Sequence, residues 1–506
     1  MPLETRLTSN FDITESRVLT LGQKYYGYII ILAGMVAIVM AHGGSAGMVL
    51  GAVSVLTICA LSLRWPEIGL LSVFPLLYAM DPTPAGIGGR EVLFAALLVA
   101  TFVGSVIQER LRLLEVLRGL FGKVVLVVTL FLCINLWVAL TYGVVFQDWL
   151  RGVIPFVFIA YQVPVFLMVR AHPSLQTALF MSIGMTAALF SAHVVQVFIV
   201  QRLWVPRWYL FENNMWVPIT EEMLSEKHYE GAKQFLKRVT MSLQQSTDVL
   251  LPLSVLWGIA GYVLHSQRVW RLAALSGASL GTIAVIMTYT RSMWITVGVA
   301  SLGIGAMGWR KKNLPRFVIA CFVVGSVAFA TIKACHLESL YLNRVFQTYS
   351  PFSAERNVNN EPRVLDENIM SRVEEYKVAW AMFTESPWVG QGLGVRHHMK
   401  FPAGHGQFVE QEVGYIHNWV LYMLMVGGIV GFALYSWLIV GPGVLLMRKR
   451  SLPVELRAAL VTTLAAMTVY ALSFAVFRLL SFNLLIAVCW GVALAQRNPN
   501  LETETR

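Results

Sequence analysis

Charge is what this chain has least of. Only 13% of its 506 residues are charged and 57% are hydrophobic, with a mean hydropathy of +0.63. A soluble globular chain carries roughly 25% charged residues. No water-soluble core is large enough for this much apolar surface, so the chain reads as a polytopic membrane protein. Cysteine is scarce too. Cys59, Cys133, Cys321, Cys335 and Cys489 show neither disulfide nor metal spacing and read as small apolar filler, four of them inside apolar runs. There is no Gly-rich phosphate loop, no nucleotide-binding fingerprint, no serine-elbow motif and no internal repeat. Nucleotide-driven chemistry and an inverted-repeat transporter are therefore not indicated. Residues 1–24 are polar and mixed in charge, and no small-residue cleavage site follows the first apolar run, so no cleavable leader is expected.

What is present is a series of long apolar runs. About 20 apolar residues carry a helix across the hydrocarbon core. Spans are expected near 25–42, 46–63, 66–80, 91–108, 124–146, 152–170, 175–200, 248–264, 272–289, 293–308, 317–334, 416–440, 458–477 and 480–495. The last two are also readable as a re-entrant pair. The expected fold is all-α, with about 12–14 transmembrane helices and one large extracytoplasmic loop carrying short helices. The expected organisation is a cytoplasmic tail at 1–24, a bundle at 25–334 with an outer loop at 201–247, and a large outer loop at 335–415. C-terminal helices at 416–495 and a cytoplasmic tail at 496–506 complete it.

The net charge of +11 gathers in short loops and is no sign of nucleic acid. With the N-terminus in the cytoplasm, the basic loops 109–123, 265–271, 309–316 and 448–457 all fall inside, as the positive-inside rule requires. The 335–415 segment then falls outside, with seven basic and ten acidic residues. Within it, residues 371–385 can form a short helix with Trp380 and Phe383 towards the membrane, ended by the Pro387–Gly394 run.

Several residues there suit an anion and a proton. Arg291 lies between two apolar runs and reads either as a snorkelling interfacial arginine or as a planar fork for phosphate. Arg372 reads as a solvated loop charge or, at the head of the 371–385 helix, as part of an anion site. His417 stands where the chain re-enters the membrane. It reads as an interfacial histidine or as a base for a hydroxyl, with Asn418 either orienting it or capping the next helix. Arg478 is a further phosphate contact or a snorkelling side chain. Glu221 and Glu222 read as a surface pair or a carboxylate base, and His193 as a satisfied bundle residue. His397, His398, His405, Glu410 and Glu412 match no compact zinc spacing, so neither metal nor other cofactor is expected.

Three stretches carry a resemblance. Thr288-Tyr289-Thr290-Arg291-Ser292-Met293-Trp294 resembles the T-x-[ST]-R-[SG]-x-W element of the O-antigen ligase and polymerase superfamily. Ser371-Arg372, then Trp380, then Pro387-Trp388-Val389-Gly390-Gln391-Gly392-Leu393-Gly394 resembles its second element, and His417-Asn418 with Leu421 and Gly427-Gly428 its third. The matched region is about 285–435. Met293 stands where the family has a small residue, and the span count exceeds the usual twelve or so.

The resemblance implies a metal-independent, inverting membrane glycosyltransferase using a polyprenyl-diphosphate-linked glycan. Arg291 and Arg372 would bind the diphosphate, and His417 would activate the acceptor hydroxyl. The acceptor would be glycan, lipid A-core or protein, and the location the inner membrane of a bacterium. The reading from a different class is a flippase for the same lipid-linked glycan. It predicts charges deep in several spans, whereas here the cationic groups gather at one face.

Overall fold

The computed structural model describes residues 25–40, 44–81, 88–110, 120–202, 249–288, 290–307, 313–334, 367–404, 407–448 and 452–495. Both tails, most of the 201–247 loop with Glu221 and Glu222, residues 335–366 and His405 lie outside these residues. The first helices are α1 (Tyr25–Met40), α2 (Gly44–Arg64), α3 (Pro66–Met80), α4 (Gly89–Gln108) and α5 (Leu120–Thr141). Next come α6 (Phe146–Val157), a 3-10 turn (Phe158–Tyr161), α7 (Gln162–Ala171), α8 (Pro173–Arg202), α9 (Leu250–Leu264), α10 (Arg268–Met287), α11 (Arg291–Met307) and α12 (Leu314–Ala334). A polar helix α13 (Glu367–Glu385) leads to a hairpin of β1 (His397–Gly404) and β2 (Gln407–Val413). Then follow α14 (Trp419–Arg448), α15 (Val454–Tyr470) and α16 (Leu480–Ala495). Among the described residues, seven helices are long and apolar enough to cross a bilayer. The protein is an all-α polytopic membrane protein.

Three expectations need correction. The 371–385 helix starts earlier, at Glu367, so Arg372 lies in its second turn. The large loop carries a hairpin as well as a helix: β1 and β2 pair antiparallel from His397↔Val413 to Gly404↔Gln407. The 458–477 run is helical only over Val454–Tyr470, because a turn at 471–473 and a 3-10 turn at Val476–Arg478 follow.

The bundle is organised around buried helices. All the residues of α16 except Leu494 are buried, and α16 packs between α7 and α14. Its indole Trp490 Nε1 donates to the Leu438 carbonyl at 2.7 Å. Close helix approach relies on small residues, since lipid supplies little hydrophobic drive between helices. In α9, a Cβ on Gly258 would stand 2.5 Å from the Ala274 carbonyl oxygen of α10. The outer helices are apolar on their exposed side, α12 with Phe322 and Phe329 outward, as suits a lipid solvent. His193 is a satisfied bundle residue, its Nδ1 3.0 Å from Tyr78 Oη.

Candidate active site at the α13–α14 junction

In α13 the residues spaced by three and four, Arg372, Glu375, Ala379 and Met382, share one face. Glu375 and Ala379 are buried on it, while Val373, Lys377 and Trp380 are exposed. Trp380 therefore points away from Glu375, with its ring 5.3 Å from that of the half-buried Phe383. Arg372 Nη1 donates to both oxygens of Glu375, at 2.9 and 3.0 Å. The partner of Arg372 is thus a carboxylate one turn on, and the helix begins five residues before Arg372.

His417 closes the cluster from the other side. Its Nδ1 is 2.7 Å from Glu375 Oε1, and its backbone N–H donates to Oε2 at 3.2 Å. Burial pushes the Glu375 carboxyl up. The His417 hydrogen bond and the charges of His417 and Arg372 outweigh that, and hold it below the ordinary glutamate value. Asn418 is a cap: its Oδ1 accepts the N–H groups of Val420 and Leu421 at 3.0 and 3.3 Å. The orienting contact on the histidine comes from Glu375 instead. Tyr415 stacks edge-on to His417 at 5.2 Å, and the Arg478 guanidinium lies 5.0 Å from the Tyr415 ring. Phe474 covers His417 at 6.3 Å.

The structure thus brings together Arg372, His417 and, through Tyr415, Arg478. Arg291 is the first residue of α11, which packs on α15. Its side chain lies outside the described part of the structure.

A glycine loop fixes this cluster to the bundle. At Gly428 (φ 59°, ψ −161°) the helical path of α14 is broken. The Pro387–Gly394 loop docks there through Gln391 N–H to Met425 O at 2.9 Å, Gly392 N–H to Val426 O at 3.0 Å, and Ile429 N–H to Pro387 O at 2.9 Å. The fit is backbone to backbone. A Cβ on Gly428 would meet the Trp388 carbonyl carbon at 2.3 Å, and one on Gly390 would meet Gly427 N at 2.4 Å. Asn135 of α5 completes the junction: its Nδ2 donates to Val426 O, and its Oδ1 accepts Leu393 N–H and Trp149 Nε1–H.

The hairpin covers α13. His397 is buried, with neither ring nitrogen hydrogen-bonded. Burial lowers its pKa, a shift that the Glu375 charge opposes and His398 reinforces. Arg396 bridges Asp148 at 3.0 Å and Glu412 at 3.2 Å. Among the described residues no three histidine, cysteine, aspartate or glutamate side chains gather as a metal site.

Beside the junction an apolar cavity of about 210 Å³ runs between α5, α6 and α14, lined by Val128, Phe131, Phe156, Leu393, Val426 and Leu434 among others. Glu375 and Asn135 were not singled out from sequence. The Arg372-x-x-Glu375 spacing within one helix and the lone amide of Asn135 in an apolar run were the available signals.

The fold and the site define a class: a helical membrane protein with guanidinium, carboxylate and imidazole clustered at the mouth of a span. Residues 274–436, about a third of the chain, match the family model described as O-antigen ligase, which bears out the resemblance to the O-antigen ligase superfamily. No curated protein matches the chain.

Proposed function

We propose that the protein is a membrane glycosyltransferase that transfers or polymerises glycan from a polyprenyl-diphosphate-linked donor onto an acceptor hydroxyl. In this reading the reaction runs at the outer face of the bacterial cytoplasmic membrane, with both termini inside and residues 335–415 outside. The observation that carries it is the linked set Arg372–Glu375–His417, which joins an anion-binding group to a base at the point of membrane re-entry. The neighbouring apolar cavity, which shares Leu393 and Val426 with the docked loop, suits a prenyl chain.

The chemistry follows from the charges. Arg291, Arg372 and Arg478 neutralise the diphosphate, which gains charge as it leaves. Beside a low-dielectric medium such contacts are stronger than in water. His417 takes the acceptor hydroxyl proton. The acceptor oxygen bonds to the anomeric carbon, the bond from that carbon to the phosphate oxygen breaks, and the diphosphate leaves with the electron pair. A single displacement inverts the anomeric centre. The guanidinium groups take the place a metal would hold.

The test is transfer by purified protein from a polyprenyl-diphosphate oligosaccharide to candidate acceptors, with and without EDTA. Product from the wild type that is lost in Arg291→Ala, Arg372→Ala and folded His417→Ala supports the reading, and product size separates ligation from polymerisation. Movement of donor across liposomes without any product would favour the flippase reading instead.

A further inference from the structure

We propose that Glu375 is the positioning residue of this site, one buried carboxylate that holds both the base and the donor-binding guanidinium. The proposal rests on the glycosyltransferase reading above and adds a residue to it. Glu375 lies three residues after Arg372, between it and Trp380, and is none of the residues that carry the resemblance, yet both of its oxygens are committed to Arg372 and His417. Oε1 takes His417 Nδ1 and Arg372 Nη1, and Oε2 takes the His417 backbone N–H and Arg372 Nη1. Its side chain is 3% exposed, while Arg372 and His417 reach solvent at 33% and 22%. The carboxylate is hidden and the two groups that would meet substrate are open.

Two consequences follow from donor and acceptor counting. An ionised carboxylate only accepts, so the 2.7 Å contact places a proton on His417 Nδ1. In the neutral ring that leaves Nε2 with the free lone pair, facing away from Glu375 and available to an acceptor hydroxyl. Among the described residues Arg372 is held through Nη1 alone, which leaves Nη2 and Nε to face a diphosphate oxygen pair. The same anion therefore sets the tautomer of the base and the angle of the phosphate fork, and keeps the two at a constant separation. A near-attack arrangement of donor and acceptor needs such a constant separation.

The experiment uses the full-length protein in detergent or liposomes, as wild type, Glu375→Gln and Glu375→Asp. Three quantities are read: turnover with a lipid-linked donor, binding of farnesyl diphosphate, and the His417 tautomer by ¹⁵N-imidazole NMR. Glu375→Gln is expected to lower turnover about 100-fold and to weaken farnesyl diphosphate about tenfold. It should also convert His417 from the Nδ1–H form to a mixture, since an amide can donate as well as accept. Glu375→Asp keeps the charge and should recover part of the turnover and the Nδ1–H signature. A Glu375→Gln protein with wild-type turnover, or one with an unchanged tautomer, overturns the proposal. If wild type transfers nothing from any lipid-linked donor, the glycosyltransferase reading fails, and the tautomer and binding data still decide whether Glu375 organises the pair.

Discussion

Asn135 donates its side-chain amide to the Val426 carbonyl at 2.8 Å, joining α5 to α14 beside the point where α14 breaks. Its oxygen at the same time receives the Leu393 N–H at 2.9 Å and the Trp149 indole at 3.1 Å. One side chain thereby ties two helices, the glycine loop and α6 together.

Replacement Asn135→Leu leaves two buried donors, the Leu393 N–H and the Trp149 indole N–H, without a partner, each worth about 1–3 kcal/mol, while Val426 O keeps the Gly392 N–H. We expect a loss of about 3 kcal/mol or more, read as a lowered melting temperature in detergent, with glycan transfer reduced. Asn135→Asp as the neutral acid keeps both accepted bonds and can donate its O–H to Val426 O, so it should lose less. Equal melting temperatures for Leu and wild type would remove Asn135 from this role.

Gly428 has no room for a side chain, because its Cβ would meet the Trp388 carbonyl carbon at 2.3 Å. Its backbone also occupies a region open essentially to glycine alone. Gly428→Ala should undock the loop and abolish transfer, detected as new protease cuts near 387–394. Gly325→Ala, in α12 with nothing within 4 Å of the added carbon, is the control. It should be neutral or stabilising by up to about 1 kcal/mol. Full activity in Gly428→Ala would show that the loop tolerates another path.

The apolar cavity makes a prediction about chain length. A tryptophan at Thr129, one of its lining residues, would fill it. A long-chain donor should then show a KM raised about 10-fold or more, while a short-chain donor is little affected. Equal effects on both would place the lipid elsewhere.

Glu375 and His397 act in different pH windows. Glu375 has its folded pKa below the ordinary 4.5. Its stabilising contribution is complete above 4.5 and is lost as pH falls through the lower folded value. The gap in melting temperature between wild type and Glu375→Gln should therefore close only as pH falls below 4.5. His397 is lowered from 6.5 by burial. The unfolded chain binds that proton first, so stability falls as pH drops below 6.5, and His397→Gln should flatten this earlier limb. Parallel curves for His397→Gln and wild type between pH 7 and 5 would contradict the assignment.

Run length and charge placement are local properties, and they carried the helical membrane architecture and most helix positions. The Arg372 and His417 motifs were likewise legible, as short patterns in a fixed order. The hairpin was missed because residues 397–413 read as polar loop, although buried His397 and Met399 alternate with exposed His398 as a strand requires. Asn418 stayed open between two roles until its bonds to Val420 and Leu421 showed a cap. What only the tertiary structure decided is partnership. Glu375 meets His417 across 42 residues, and Asn135 meets Val426 across 291. No periodicity encodes such pairs, because they depend on which helix faces pack together and where a glycine lets one backbone touch another.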